Sequence, residues 1–194
     1  TIPDVSLSGV TIRENSADSS GGGIYNNAAT LTGNNVTIHQ NSSSFGGGVY
    51  TKNGSSTLNA GELTANLSIN SGGGMYNKSS TVILQGVAIS GNSAINAGGG
   101  MYNTSTIVVG EKLNIQANSA INSGGGMYNK TSTITLRNVD ISGNAAINAG
   151  GGMYNTTTTV LTGTGMTISG NTAPVGGGIF NEDSSPMISN SIIL

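Results

Sequence analysis

A six-residue phrase, Gly-Gly-Gly-aliphatic-aromatic-polar, occurs seven times in this chain and decides most of what it can fold into. It opens at Gly21, Gly46, Gly72, Gly98, Gly124, Gly150 and Gly176, at an interval of 25 residues once and 26 thereafter. So strict a period means one supersecondary unit stacked on copies of itself. A single solenoid is therefore expected over residues 1–194, with an incomplete final coil at 182–194.

The unit from Thr81 to Tyr102 shows what is stacked. Val82-Ile83-Leu84 is a short apolar run, and Val87-Ala88-Ile89 follows it after Gln85-Gly86. Ser90-Gly91-Asn92 reads as a turn, Ser93 to Ala97 as a polar connection, and Gly98 to Tyr102 as a third extended segment. Short strands separated by turn residues, without helical periodicity, mark a β-coil. The expected fold is all-β: a parallel β-helix of seven to eight coils with three short strands each, right-handed as β-crossovers generally are. At ~4.8 Å per coil the rod would be about 35 Å long.

Alternation assigns the faces. The middle strand carries inward pairs Val10/Ile12, Val36/Ile38, Gly61/Leu63, Val87/Ile89, Leu113/Ile115, Val139/Ile141 and Met166/Ile168. Between them Thr11, Thr37, Glu62, Ala88, Asn114, Asp140 and Thr167 face out, since successive side chains of a strand point to opposite sides. The first strand is looser, because Val108 is followed by Val109 and Gly110. In the third, Ile24, Val49, Met75, Met101, Met127, Met153 and Ile179 point inward. That turns an aromatic ladder outward: Tyr25, Tyr50, Tyr76, Tyr102, Tyr128, Tyr154 and Phe180.

Two asparagine columns flank these strands. One is Asn15, Asn41, Asn66, Asn92, Asn118, Asn144 and Asn171; the other is Asn26, Thr51, Asn77, Asn103, Asn129, Asn155 and Asn181. Stacked amides hydrogen-bond up a rod and Asn tolerates left-handed backbone, so both are expected to be turn ladders rather than ligand groups. Glycine is costly to order in a strand. The triplets must therefore answer a positive φ or an approach too close for a Cβ. A bare glycine strip beside the ring ladder is a candidate contact surface; the alternative is that the rings simply cover the strip.

Composition closes several routes. Charged residues are 7% of the chain and the formal net charge is -2, which gives no electrostatic footprint for nucleic acid or anionic membrane. There are no cysteines, hence no disulfides, thiolate zinc sites or cysteine nucleophiles. No apolar stretch approaches a membrane span. Thr1 starts directly in repeat-like sequence, so any signal peptide is expected to be already gone.

Catalytic constellations are equally scarce. Glycoside cleavage needs two carboxylates at defined separation. The acids Asp4, Glu14, Asp18, Glu62, Glu111, Asp140, Glu182 and Asp183 map to different columns or distant turns, apart from adjacent Glu182-Asp183. Glu62 and Asp140 share a column three coils apart, roughly 14 Å. His39, the single histidine, reads as a solvated turn residue. No carboxylate cluster suggests calcium, no Asp follows the glycine triplets, and no Gly-Lys-Ser/Thr suggests a phosphate loop. No cofactor or metal is implied. An ice-binding threonine array on the outward column Thr11, Thr37, Thr167 is interrupted by Glu62, Asn114 and Asp140. Asn77, Asn103, Asn129 and Asn155 match the glycosylation acceptor pattern, a weak signal in so Asn- and Thr-rich a chain.

The pairing of Ile89-Ser90-Gly91-Asn92 with Gly98-Gly99-Gly100-Met101, repeated in every unit, resembles the repeat of the chlamydial polymorphic outer-membrane proteins and related bacterial surface proteins. That repeat pairs Phe-x-x-Asn with Gly-Gly-Ala-aliphatic; here Ile or Leu replaces the Phe and Gly the Ala. The resemblance implies a right-handed β-helix, displayed or secreted, with adhesive or structural duty and no catalytic residues.

The expectation is thus a non-catalytic extracellular rod, with a carbohydrate- or ice-binding face as the alternative and a polysaccharide-active enzyme third. Its partners would be other copies of itself or cell-surface components. Neither end shows a capping segment, so Val5, Leu7, Val10 and Ile12 at one end and Met187, Ile192 and Leu194 at the other are candidates for head-to-tail stacking, with Ile192 and Leu194 expected to point inward.

Overall fold

The computed structural model describes residues 3–194 and forms a parallel β-solenoid of about seven coils. Among the described residues the strands make three sheets, of 14, 6 and 7 strands, and every pairing is parallel between a coil and the next. Among the described residues no helix is long and apolar enough to cross a membrane.

The long sheet holds both the first and the middle segments of each unit. In Ser55–Thr64 and Thr81–Ser90 they run on as one ten-residue strand; in the next coil they separate into Ile107–Glu111 and Asn114–Gln116. The joint is a residue in left-handed conformation: Asn35, Ala60, Gly86, Lys112, Asn138 or Gly165, at φ 47–64°. It inserts one residue and shifts the alternation, so that Val82 and Leu84 before it and Val87 and Ile89 after it all point inward and are buried. The looseness of the first strand dissolves here. Val109 faces out, and Gly110 occupies the inward column that Leu84 and Leu136 fill above and below. A Cβ on Gly110 would come within 2.6 Å of Leu113 Cδ1 and 2.8 Å of Leu136 Cδ2, so the small residue makes room for its neighbours' branches.

The segment expected to be a polar connection is instead the second sheet. Ser93–Ala94, Ser119–Ala120 and Ala145–Ala146 are two-residue strands in parallel register. Ala94, Ala120 and Ala146 turn inward and are buried, while Ile95, Ile121 and Ile147 just after them are exposed. With small residues inward and large ones outward, this face inverts the usual pattern and leaves no apolar alternation to read.

The third sheet begins at the aliphatic residue rather than at the glycines, as in Met101–Thr104. Each triplet is a tight turn into it. Gly98 has φ +66°; a Cβ on Gly99 would lie 2.5 Å from Gly125 O, and one on Gly100 2.6 Å from Gly126 O and 3.2 Å from Asn118 Cγ. Both steric demands therefore operate, the positive φ at the first glycine and close approach at the other two. The methionine column closes the core: Met75, Met101, Met127 and Met153 are 0% exposed, against Leu63, Ile89, Ile115 and Ile141 from the long sheet.

The last coil corrects one register. Ile193, not Ile192, pairs with inward Ile168, and Ile192 pairs with outward Thr167. Leu194 follows in the outward column, its backbone N–H bonded to Ile168 O at 2.9 Å. Likewise Ile188 falls in the inward column and Met187 in the outward one. The coil from Ile168 to Ile193 is 25 residues, one short of the period that placed Ile192 and Leu194 inward.

Candidate functional site

The ring ladder is the most regular outward feature. Successive tyrosines from Tyr25 to Tyr154 stack with centroids 4.8–5.3 Å apart and planes 3–11° from parallel, and Phe180 ends the column at 4.9 Å and 29°. The strand places them: each ring lies directly over its counterpart because Met-Tyr-Asn pairs with Met-Tyr-Asn in unbroken register. Phe45 abuts Tyr76 edge-on at 5.3 Å. The glycine strip is not bare, since the triplets from Gly46 to Gly152 are buried.

Because each ring covers the next, the faces are occupied by neighbours and only edges and hydroxyls meet solvent. A sugar or a base stacks on an aromatic face. The ladder therefore offers a row of phenol edges, not a stacking platform. Burial raises the phenol pKa of Tyr50 and Tyr102, and raises Tyr76 and Tyr128 to about 12, helped by the charge of neighbouring phenolates. Tyr154 is raised furthest. Burial is again the first cause, and its hydroxyl also donates to Glu182 Oε2 at 2.7 Å. Thr156 Oγ1 donates to the same oxygen at 3.1 Å, and the two bonds hold the Glu182 carboxyl below its usual range.

The asparagine columns join coil to coil. Asn92 Nδ2 donates to Asn118 Oδ1 at 3.0 Å and to Leu63 O at 2.9 Å, while its backbone N–H reaches the same Oδ1 at 2.9 Å. The pattern runs without a gap from Asn15 to Asn171. In the second column Asn77, Asn103, Asn129, Asn155 and Asn181 join through amide bonds of 2.8–2.9 Å. The four acceptor-pattern asparagines all lie in that column at 0% exposure, so the folded rod gives a glycosyltransferase no access to them. A third column escaped the sequence reading. Half-buried Asn70 and exposed Asn96, Asn122 and Asn148 bond side chain to side chain at 3.1–3.2 Å beside the exposed isoleucines. The recurring Ile-Asn dipeptide was its only signal.

The other candidates remain apart. Thr37, Glu62, Ala88, Asn114 and Asp140 follow one another in register, which sets the two carboxylates three coils from each other. His39 ends the strand Thr37–His39 rather than lying in a turn, and its Nδ1 is 3.1 Å from Thr64 Oγ1. No group of three His, Cys, Asp or Glu able to hold a metal occurs among the described residues. Of the end residues, Leu7 packs against the core, Val10 and Ile12 are half-buried, and Val5, Met187, Ile192 and Leu194 are exposed.

The first pairing of Ile12-Arg13-Glu14-Asn15 with Gly21-Gly22-Gly23-Ile24 falls within residues 9–27, which match the Chlamydia polymorphic membrane protein repeat. The chain is a parallel β-solenoid whose repeat resembles that one. The structure shows why its two fixed elements travel together: the Asn of one coil packs against the third glycine of the coil below, as Asn118 does against Gly100. No curated protein and no solved structure matches the chain.

Proposed function

We propose that this solenoid is a segment of a surface-displayed rod whose work is structural and adhesive rather than catalytic. The observation that carries the reading is the use of the repeated polar groups. Both long asparagine columns and the tyrosine faces bind coil to coil, and the ionisable side chains stay dispersed along the rod. A chain organised in this way invests in length and stiffness. The matched repeat, which takes its name from a bacterial membrane protein family, supports placement outside the cell. Antibody labelling of intact source cells tests it: signal without permeabilisation is expected, and signal only after permeabilisation sinks the proposal.

A further inference from the structure

The outer face of the long sheet carries an array that none of the ladders uses. The first and third residues of its strands, from Thr30–Asn34 to Val160–Thr164, form two outward ranks across six consecutive coils. Of these twelve positions seven are Thr and one is Ser55; the others are Ile83, Ile107, Val109 and Val160. Every one but Ser55 is therefore β-branched, and none is charged. Charge begins only in the adjoining rank, at Glu111 and Arg137.

Two further properties set this face apart. Its strands pair in parallel from Thr30–Asn34 through Val160–Thr164 without a register shift, so each outward position lies over its counterpart in the next coil. Among the described residues the hydroxyls of the two ranks make no side-chain hydrogen bond. Side-chain hydrogen bonds on this face fall in neighbouring ranks, as from Asn59 to Asn34 at 3.0 Å and from Gln116 to Asp140 at 3.1 Å. Beside the first rank a cleft of about 490 Å³ follows the rod, lined by Thr30, Thr81, Ser79 and Ser105 among others.

We propose that this double rank binds the surface of ice. The positions repeat about every 4.8 Å along the rod and roughly 6.7 Å across it, spacings close to the a and c repeats of hexagonal ice, with hydroxyls at eight of the twelve and methyls alone at Ile83, Ile107, Val109 and Val160. The unbroken register carries the array through six coils. Methyl groups order the water between them, hydroxyls join its hydrogen-bond network, and the absence of charge spares the lattice a competing hydration shell. The cleft gives room for a file of such waters along one margin. The middle-strand column, with Glu62 and Asp140, lacks these properties, and the array lies one strand earlier.

Thermal hysteresis and ice-recrystallisation inhibition by the whole chain test the proposal. The parent protein should shape and slow ice growth. Thr135→Lys, in the fifth of the six coils, should lose that activity with an unchanged circular dichroism spectrum, while Ile121→Lys on the short-sheet corner keeps it. A folded parent without effect on ice, equal loss in both variants, or retention on crystalline chitin or cellulose in place of ice would overturn it. Surface display is judged by cell labelling alone, so either proposal can fail without the other.

Discussion

Thr51 stands one coil below Asn77, where every neighbouring position of the column supplies an amide, and leaves Asn77 Oδ1 buried without a donor. Its hydroxyl turns aside to Ser56 Oγ at 2.8 Å. Thr51→Asn should extend the ladder by one bond and stabilise the rod by about 1 kcal/mol, raising Tm by roughly 2–4 °C for a domain of this size. An unchanged or lowered Tm in differential scanning calorimetry would show that the oxygen needs no partner.

The inner ladder should be far less tolerant. Asn118→Ala removes the acceptor of both the backbone N–H and the amide of Asn92, and strips Ile89 O of its donor. Each orphaned buried group costs about 1–3 kcal/mol, so unfolding in urea should move to markedly lower concentration. A substitution there as mild as one on the surface would mean that water enters the turn.

Inward and outward columns should differ sharply under the same kind of insult. Met101→Asp places an unpaired charge between Met75 and Met127 in a fully buried column and should cost on the order of 4 kcal/mol. Ala88→Lys, on the outer face between Glu62 and Asn114, should be near neutral. Comparable losses of Tm for the two variants would contradict the assignment.

Alkali should unfold the rod through its phenols. Tyr76 and Tyr128 hold their protons to about 12 when folded, against an ordinary value of 10. The neutral phenol is what the fold favours, so this stabilisation is complete below pH 10 and declines as pH rises from 10 toward 12. Tyrosinate absorbance should therefore appear in that window together with loss of β-sheet circular dichroism. Full ionisation near pH 10 with the sheet intact would show the ladder to be loosely held.

Much of this architecture was legible in the sequence, because a period-2 column of Val, Ile and Met repeated at fixed spacing has few other solutions. The middle strand, the methionine column and both buried asparagine ladders stand where alternation put them. The short sheet was not legible, since Ser93-Ala94 buries a methyl and exposes its larger neighbour Ile95, which looks like a loop. Gly110 hid the regularity of the first strand because its column is filled by branches of Leu113 and Leu136 rather than by its own side chain. With that strand misjudged, the uncharged ranks on its outer face went unseen. Ile192 was misplaced because counting assumes a constant period, and the final coil is one residue shorter.

The buried amides also give the rod an arrow. In both enclosed columns the Nδ2 group reaches toward the C-terminal neighbour, from Asn66 to Asn92 in one and from Asn103 to Asn129 in the other. Within these two columns each cross-section shows amide donors on one side and carbonyl acceptors on the other, whereas the outer column runs the opposite way, with Asn96 donating back to Asn70. Two such rods brought together with like ends facing would set amide against amide or oxygen against oxygen. Any lengthening, by more of the same chain or by another copy, must keep one sense throughout, so the polarity of the whole is already written into a single coil.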